Sequence, residues 1–432
     1  MLAMLGPKIV LRAEPHYYAS HIAFNARTWK TIRLSSEQYQ ILRALNDAPR
    51  EKDAVLSSLD QAAGELGFSG HDLVDAGVVS DFTGGIFSPR PLPDAGDDVV
   101  MPGIDCMSSP SKVELCITRR CNQACYHCNV SARSTAGGDM LPTSFWLQML
   151  DDCVASGVLN VKFTGGEPFV RDDFDEILEK AVDLPIATTL LTNGLLLNQR
   201  RIATLKVGNV GVAVSLDGIN PEQHDAFRRS AGAFDRTVEN LRELGEAGIT
   251  LSITVTVHSA NIASLRKFID IALKVKAAML VFVPMVAIGR GAKPSSAKYH
   301  SSAIEMKDAL AEVVAWARAG HDGPEIVIGN YEEKEVTEYQ KGRAMSKRPQ
   351  GFCKAGTFAL AVDEDGMVYP CLRGLQTKVH PIGNIIKSSF SEIWRAAAWS
   401  PFRDKTLPRV PCRVEAIEKA TRGSNGGLVV LN

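Results

Sequence analysis

The sequence has no apolar run of about 18 residues, the length that a membrane-spanning helix requires. It also has almost no net charge, because 48 Lys and Arg residues oppose 49 Asp and Glu residues. This balance gives no electrostatic reason to expect binding to nucleic acid or to an anionic membrane. The first 15 residues lack a basic start followed by a long apolar core and a cleavage site. We therefore expect a cytoplasmic protein.

The nine cysteines are an odd number, which does not suit a framework of disulfides. Three of them, Cys121, Cys125 and Cys128, have CxxxCxxC spacing and directly follow the apolar run KVELCIT, which predicts a strand. In a chain with this cysteine content, the spacing would arise by chance only about 0.004 times. Thiolates are soft ligands for iron–sulfur clusters or zinc, so the spacing indicates a metal centre.

Three thiolates would leave one iron of a four-iron cluster without a protein ligand. An open coordination position distinguishes reactive from structural zinc sites, and by the same reasoning the open iron predicts a small-molecule ligand. The alternative is a zinc site with His127 as the fourth ligand. Because Tyr126, His127 and Cys128 share one short turn, little room remains for tetrahedral coordination, and the iron–sulfur cluster is favoured.

The three cysteines, with an aromatic-type residue, His127, before the last one, resemble the signature of radical S-adenosylmethionine (radical SAM) enzymes. The resemblance implies a [4Fe-4S] cluster on Cys121, Cys125 and Cys128, whose open iron is chelated by the amino and carboxylate groups of SAM. In this family the reduced cluster cleaves SAM to a 5′-deoxyadenosyl radical that abstracts hydrogen. The resemblance therefore also implies an electron donor such as flavodoxin or ferredoxin.

Between residues 113 and 330, apolar runs typical of strands alternate with helical patterns. The predicted strands are residues 113–118, 159–164, 186–192, 210–216, 249–257 and 279–284. The predicted helices include residues 144–155, 174–182, 234–247, 263–275 and 303–317. Six such repeats predict the α/β class, with a parallel sheet and outer helices curled as a partial (β/α)6 TIM-type barrel.

Three short polar segments directly follow the second, third and fourth predicted strands: GGEP at 165–168, TNG at 192–194 and SLDG at 215–218. Active sites of such barrels lie at the carboxyl ends of the strands, so these segments should meet the cysteine loop. A Gly-Gly pair lets the backbone approach a ligand closely, and an adjacent carboxylate can receive an ammonium group.

The family resemblance assigns SAM contacts to these segments. It implies that the GGEP segment holds the SAM amino group, with Glu167 as the charged partner. It also implies that Arg228 pairs with the SAM carboxylate, a role that Arg229 could take instead. The cofactor-binding residues that it implies are His127, Gly165, Gly166, Glu167, Pro168, Asn193, Ser215, Asp217 and Arg228. The Gly-Arg-Gly segment at 289–291 resembles the adenine-side loop of the family.

Residues 1–90 form the first predicted domain. From Lys8 to Leu34, apolar and polar residues alternate, which predicts two or three short strands. A capping box of Ser35 and Gln38 then begins the first of three predicted helices, and the others cover residues 53–66 and 70–76. This order predicts a winged-helix-like module, whose balanced charge argues against DNA binding.

The helix SSEQYQILRAL and the closing LVDAGVV resemble the PqqD-like recognition element of enzymes that modify ribosomally synthesised peptides (RiPPs). In that family a leader peptide adds as an edge strand. The alternative is a capping domain without a ligand. Residues 91–112 are rich in Gly, Pro, Ser and Asp and are predicted to be a linker. It contains Cys106, either a free thiol or a spare cluster ligand.

In the last hundred residues, Cys353 and Cys371 lie on either side of a predicted hairpin turn at 365–366. An amphipathic helix is predicted at 385–397, and Cys412 follows. This arrangement resembles the SPASM or shorter twitch extension of radical SAM enzymes, which holds auxiliary iron–sulfur clusters. We therefore assign residues 331–432 to such an extension.

The match to a full SPASM region is incomplete, because Glu415 and Thr421 stand where two further cysteines belong. The sequence allows one auxiliary cluster on Cys353, Cys371 and Cys412, since two would need eight ligands. Its fourth ligand would come from Cys106, Glu415, solvent or a substrate group. The alternative is a degenerate extension in which these cysteines are structural.

Together these resemblances predict a radical SAM oxidoreductase that acts as a RiPP maturase. It would capture a precursor peptide through its N-terminal module and abstract hydrogen from it, giving a crosslink or another modification. A second hypothesis is a radical SAM enzyme of cofactor or small-metabolite biosynthesis. A third is a non-catalytic regulatory or binding protein that keeps the iron–sulfur site.

Overall fold

The computed structural model describes residues 2–6, 8–13, 21–28, 30–63, 68–81, 109–135, 138–329, 353, 355–403, 412 and 414. Cys106, Glu415 and Thr421, and most of the predicted linker, lie outside the described residues.

The described residues of the N-terminal module form two small antiparallel sheets and three helices. Its strands are β1 (Leu2–Leu5), β2 (Ile9–Ala13), β3 (His21–Asn25), β4 (Lys30–Leu34), β5 (Arg50–Glu51) and β6 (Val79–Asp81). Its helices are α1 (Ser36–Asp47), α2 (Lys52–Gln61) and α3 (Gly70–Asp75). The sheets have the orders β2-β3-β4 and β5-β1-β6. The capping box of Ser35 and Gln38 is present at α1, while the winged-helix-like class stays a prediction.

The central part is a partial barrel, as the sequence predicted, with strands that pair in parallel in chain order. These strands are β7 (Lys112–Cys116), β8 (Asn160–Thr164), β9 (Ala187–Thr192), β10 (Gly211–Ser215), β11 (Leu251–Val257), β12 (Met279–Pro284) and β13 (Glu325–Ile328). The intervening helices are α4 (Thr143–Ala155), α5 (Phe174–Asp183), α6 (Gln199–Val207), α7 (Pro221–Arg228), α8 (Ala233–Glu246), α9 (Leu265–Lys274) and α10 (Ala303–Arg318). Sequence reasoning missed β13, α6 and α7.

The two faces of the barrel strands differ in polarity, as the alternation of side chains along a strand requires. On β11 the outward Leu251, Ile253, Val255 and Val257 are buried in the main hydrophobic core. The inward Ser252, Thr254 and Thr256 are only half-buried. The inside of the barrel therefore has polar side chains that a ligand could reach.

The C-terminal extension continues the same sheet beyond β7. Strand β14 (Ala359–Val362) pairs in parallel with β7, and β15 (Met367–Tyr369) and β16 (Gly383–Asn384) follow as antiparallel neighbours. The extension also contains α11 (Leu372–Thr377), α12 (Phe390–Arg395) and α13 (Ser400–Arg403). The predicted hairpin turn is present, with Gly366 at φ +76°.

The helix predicted at 385–397 is shorter than expected. Ser389 accepts a hydrogen bond from the Glu392 N–H and forms a capping box with it, so α12 begins only after Ser389. The amides of Lys387 and Ser388 instead donate to the Asn384 carbonyl in a turn.

The N-terminal module packs against the amino ends of the barrel strands. A buried cluster joins Val10, Ile22 and Phe24 of the module to Leu159 and Ala187 of the barrel. Leu159 is the residue before β8, and Ala187 is the first residue of β9. The Lys8 ammonium also donates to the carbonyls of Val182 and Leu184 at 2.6 and 2.8 Å. The module therefore lies at the opposite end of the strands from the cysteine loop that follows β7.

None of the helices in the described parts of the chain is long and apolar enough to cross a membrane.

Candidate active site

The cysteine loop leaves the carboxyl end of β7 and closes on a backbone stem. The Cys121 N–H donates to the Arg133 carbonyl at 2.9 Å, and the Arg133 N–H donates to the Arg119 carbonyl at 2.8 Å. Cys125 is buried, Cys121 and Cys128 are half-buried, and all three are free thiols. The structure thus places three reduced cysteines on one short, closed loop.

A second set of contacts anchors the loop from outside. The amides of Ala124 and Tyr126 donate to the carbonyls of Arg228 and Phe227 at the end of α7. The Arg290 guanidinium donates to the carbonyls of Cys125 and Ala132 at 2.8 and 2.5 Å. The sequence linked residues 289–291 only to an adenine-side loop, so this side-chain role of Arg290 was missed.

Burial raises the pKa of the Cys121 thiol to about 12 and that of the Cys125 thiol to about 11. A thiol must lose its proton to ligate a metal, so cluster binding here would release protons. The positive charge of Arg228 lowers the pKa of the Cys125 thiol and so opposes the effect of burial on that pKa. Gln123 lies between them: its Oε1 accepts from Arg228 at 3.0 Å and is 3.8 Å from the Cys125 sulfur.

The GGEP segment turns directly against the chain that leads into the cysteine loop. The Gly166 N–H donates to the Thr118 carbonyl at 2.7 Å, and the Glu167 N–H donates to the Arg120 carbonyl at 2.9 Å. A Cβ on Gly165 would lie 2.2 Å from the Thr118 oxygen, and one on Gly166 would lie 2.0 Å from the Arg120 oxygen. Both positions therefore require glycine. Pro168 follows as the first residue of a short 3-10 turn, Pro168–Val170.

We expect G166A to destabilise the ligand-free chain by about 3 kcal/mol, because the added methyl group must push the Arg120 backbone away. G138A is the matched control, since a Cβ there meets no atom within 4 Å. Chemical unfolding under reducing, anaerobic conditions measures both. Equal stability of the two variants would contradict this close approach.

Glu167 is fully buried and joins two loops. Its carboxylate accepts hydrogen bonds from the Thr192 hydroxyl and the Asn193 N–H, each at 2.7 Å. Burial raises the pKa of Glu167 to about 7, against these hydrogen bonds, which lower it. Asn193 continues the connection, because its Nδ2 donates to Asn122 Oδ1 at 2.7 Å inside the cysteine loop.

Asp217 and Arg228 form a buried ion pair beside the cysteine loop. The Arg228 Nε and Nη2 atoms each lie 2.8 Å from Asp217 Oδ2, while Asp217 Oδ1 accepts from the Thr256 N–H at 2.7 Å. Burial alone would raise the pKa of Asp217, but the charge of Arg228 acts together with smaller contributions, including the hydrogen bond from the Thr256 N–H, and that pKa lies below its ordinary value. Ser215 ends β10 half-buried, two residues before Asp217.

His127 belongs to a stack of rings beside this ion pair. Its ring stacks on Phe227 at 4.7 Å between centroids, and Phe227 stacks on His258 at 3.8 Å. Burial lowers the pKa values of both histidines to about 4, so both rings are neutral at pH 7. The buried Nδ1 of His127 has no hydrogen-bond partner within the described residues.

A cavity of about 100 Å³ lies beside His127. Its lining also includes Thr256 and Val283 from the inner face of the barrel, and Arg373 and Gln376 from α11. An unpartnered imidazole nitrogen next to a cavity is suited to accept from or donate to a polar ligand. The C-terminal extension thus contributes to the wall of the site.

The auxiliary-cluster candidates Cys353, Cys371 and Cys412 are half-buried and pack against the main hydrophobic core, and none of them forms a disulfide in the described part of the chain. Burial raises the pKa of the Cys371 thiol to about 12. Glu114 on β7 accepts a hydrogen bond from the Leu372 N–H at 3.2 Å, beside Cys371.

Two family models match the chain. The radical SAM superfamily model matches residues 115–272, and the SPASM model, an iron–sulfur cluster-binding domain, matches residues 353–414. The chain contains a radical SAM domain and a SPASM domain. The radical SAM domain makes it an enzyme and implies a [4Fe-4S] cluster and SAM, and the SPASM domain implies auxiliary iron–sulfur clusters. The third hypothesis, a non-catalytic protein, is thereby set aside.

Relatives of this radical SAM protein act on different substrates. It is 28% identical to an AdoMet-dependent heme synthase of Methanosarcina barkeri, over 73% of this chain and 91% of that protein. It is 25% identical to a PqqA peptide cyclase of Granulibacter bethesdensis, over 69% of this chain and 77% of that protein. Its fold is similar to that of Streptococcus suis SuiB bound to precursor peptide SuiA, with a TM-score of 0.69, 15% identity and coverage of 92% and 89%.

The residues present fit the groups that a radical SAM domain binds. Three free thiols on one loop suit a cluster with an open iron, and the unpartnered His127 Nδ1 beside a cavity suits a polar ligand next to that loop. The Nε2 of Gln123, which has no hydrogen-bond partner among the described residues, offers a further donor within the loop. The individual roles of these residues remain our proposals.

Proposed function

We propose that this radical SAM enzyme modifies a ribosomally made precursor peptide, which its N-terminal module holds by one edge of the β2-β3-β4 sheet. The product would be a crosslink or another side-chain or backbone modification. The electron needed would come from a donor such as flavodoxin or ferredoxin.

The observation that carries this proposal is the way the N-terminal sheet is covered. Leu11, Ala23 and Ile32 point to the helices of the module, while Ile22 and Phe24 point to the barrel. Among the described residues both faces of the sheet are therefore covered, and its edges at β2 and β4 are where backbone groups could pair with a peptide. Strand addition at a sheet edge is a recurring mode of peptide recognition.

The comparisons support the same substrate class. A PqqA peptide cyclase is by its name a peptide-modifying enzyme, and the SuiB structure contains its precursor peptide. Residues 91–432 are less than four fifths of this chain, so a fold similarity that covers 92% must extend into the N-terminal module. This coverage supports a counterpart of the module in SuiB.

The chain's own part in the reaction would be binding, orientation and exclusion of water. When bound, the cluster and SAM supply the hydrogen-abstracting chemistry. We propose that Glu167 pairs with the SAM amino group, that Asn193, Ser215 and Asp217 surround its ribose and carboxylate, and that His127 contacts it from the loop. Half-buried hydroxyls such as Thr254 and Thr256 would orient the substrate inside the barrel.

If Glu167 binds the SAM amino group, SAM affinity should rise with pH through about 7. An ammonium group pairs with the ionised carboxylate, and the raised pKa of Glu167 leaves only a small fraction ionised at pH 6. We expect binding to be about tenfold weaker at pH 6 than at pH 8. In the ligand-free fold the sign is opposite: this group favours folding most below pH 4.5, and its contribution is lost as pH rises through about 7.

Calorimetric titration of the cluster-loaded enzyme with SAM, under anaerobic conditions between pH 6 and pH 8, tests this expectation. E167Q is the control, and it should bind SAM weakly at every pH in the range. A wild-type affinity that does not change with pH would contradict the proposed pairing.

The peptide proposal is tested with the full chain and the short peptides encoded beside its gene. Fluorescence anisotropy measures binding of each labelled peptide, with a scrambled peptide of the same composition as control. Mass spectrometry after incubation with SAM and a reductant then measures modification. Micromolar binding followed by a mass change supports the proposal, and absence of binding to every peptide contradicts it.

A second candidate is heme or related cofactor synthesis, because the match to the heme synthase covers 91% of that protein. That match leaves more than a quarter of this chain without a counterpart. Incubation with an iron porphyrin, SAM and a reductant separates the candidates. A modified porphyrin and unmodified peptides would favour this second function.

A further inference from the structure

Two buried carboxylates from the C-terminal extension hold both sides of the cysteine-loop stem. Asp363 and Glu364 follow β14 and are only 1% and 3% exposed. Their partners are Arg119, which precedes Cys121, and Arg133, which follows the loop. We call these four residues the stem clamp. Neither carboxylate was singled out by the sequence motifs.

The contacts of the stem clamp are short and mostly paired. The Arg119 guanidinium donates to both oxygens of Asp363 at 3.1 and 2.7 Å. The backbone N–H of Arg119 donates to the Glu364 carboxylate at 2.8 Å. The Arg133 guanidinium donates to both oxygens of Glu364 at 2.6 and 3.0 Å. Such two-pronged pairs fix orientation as well as distance. Five hydrogen bonds therefore join two segments more than 200 residues apart in sequence.

Strand register explains how the carboxylates reach the stem. Strand β14 pairs in parallel with β7, with Val362 opposite Leu115. The next residues of β14 therefore lie level with the point where β7 leads into the cysteine loop. Lys378, which follows α11, also binds Asp363, and α11 begins directly after Cys371. The stem clamp thus connects the stem of the loop with the segment that carries an auxiliary cysteine.

The arginines of the stem clamp are hydrogen-bonded to the backbone that carries the loop thiols. The Arg133 carbonyl accepts the Cys121 N–H, and the Arg133 N–H donates to the Arg119 carbonyl. Arg119 also donates to the Val130 carbonyl at 3.1 Å, just after Cys128. Movement of either arginine would therefore move the backbone on which Cys121 and Cys128 are mounted.

We propose that Asp363 and Glu364 are positioning residues for the cluster of the cysteine loop, through which the C-terminal extension fixes the geometry and local charge of that cluster. Outer groups that orient metal ligands commonly change metal affinity by about 10- to 100-fold. The proposal rests on the radical SAM domain and is independent of the substrate. Without the carboxylates, the positive charges of Arg119, Arg133 and Lys378 beside the loop would lose these partners.

The test compares D363N/E364Q with D365N in the full chain, both in a background of C353A/C371A/C412A so that only the loop cluster is observed. Asp365 lies in the same turn, but within the described residues its side chain accepts only from the Met367 N–H, so D365N is a matched control. Four quantities are measured without peptide: iron release to a chelator, the reduction potential of the cluster, the EPR spectrum of the reduced cluster and the change of that spectrum on addition of SAM.

For D363N/E364Q we expect iron release about tenfold faster than for D365N, a displaced EPR spectrum and a higher reduction potential. Equal release, spectra and potentials in the two variants would overturn the proposal. If the double variant does not fold, R133K replaces it, because lysine keeps the charge but loses the two-pronged geometry. A displaced spectrum in R133K then supports the proposal, and a wild-type spectrum overturns it. Failure to modify a peptide with a normal cluster would count against the proposed function alone.

Discussion

Replacing Cys121, Cys125 and Cys128 together by alanine is expected to abolish SAM cleavage, with a loss of at least about a thousandfold. No other cysteine lies on the loop that follows β7, and the nearest one in sequence, Cys116, is fully buried within that strand. Without the three thiols the loop has no ligands with which to hold the cluster. The folded chain should survive, because two of the three thiols are half-buried and the stem is closed by backbone hydrogen bonds.

The matched control is C353A/C371A/C412A. It should lose the auxiliary iron but keep cleavage of SAM with dithionite as reductant, since the loop cluster is untouched. Iron and sulfide analysis after anaerobic reconstitution measures both variants. Tetrahedral zinc in the loop of the wild-type protein, or full activity of the loop variant, would overturn the assignment of the cluster to these cysteines.

Much of the barrel could be predicted because it is encoded locally. Buried parallel strands are continuous apolar runs, and the six predicted runs coincide with β7 to β12 within a few residues. The cysteine loop and the GGEP, TNG and SLDG segments were found because each is a short motif at a strand end. Their meeting in space follows from the parallel order of the strands.

Other parts of the site depend on contacts that no local pattern records. Arg290 supports the loop from 165 residues away, and Asp363 reaches Arg119 only through the register of β14 with β7. Strand β13 was missed because it is only four residues long. Helices α6 and α7 are short and polar, although Asn198 and Asn220 at their N-caps were signals that could have revealed them.

Breaking the buried pair of Asp217 and Arg228 is expected to cost about 3–5 kcal/mol of folding stability in the ligand-free chain. R228M would leave the Asp217 carboxylate, which is fully buried, without its cation. R229M is the matched control, because Arg229 is the next residue but is exposed, and its loss should change stability by less than about 0.5 kcal/mol. Chemical unfolding under anaerobic conditions measures both variants.

The double variant D217N/R228M separates the structural role of Arg228 from a role in binding SAM. The amide that replaces the Asp217 carboxylate is uncharged and can still accept from the Thr256 N–H, so the double variant should be more stable than R228M alone.

The SAM affinity of D217N/R228M then decides whether Arg228 also binds SAM. The Arg228 guanidinium is already committed to Asp217 and Gln123, which favours a role in positioning the cysteine loop. If SAM binding recovers with stability in D217N/R228M but is lost in R229M, Arg229 is the partner of the SAM carboxylate. If SAM binding stays lost in the stable double variant while D217N alone still binds SAM, Arg228 itself has that role, as the family resemblance implies.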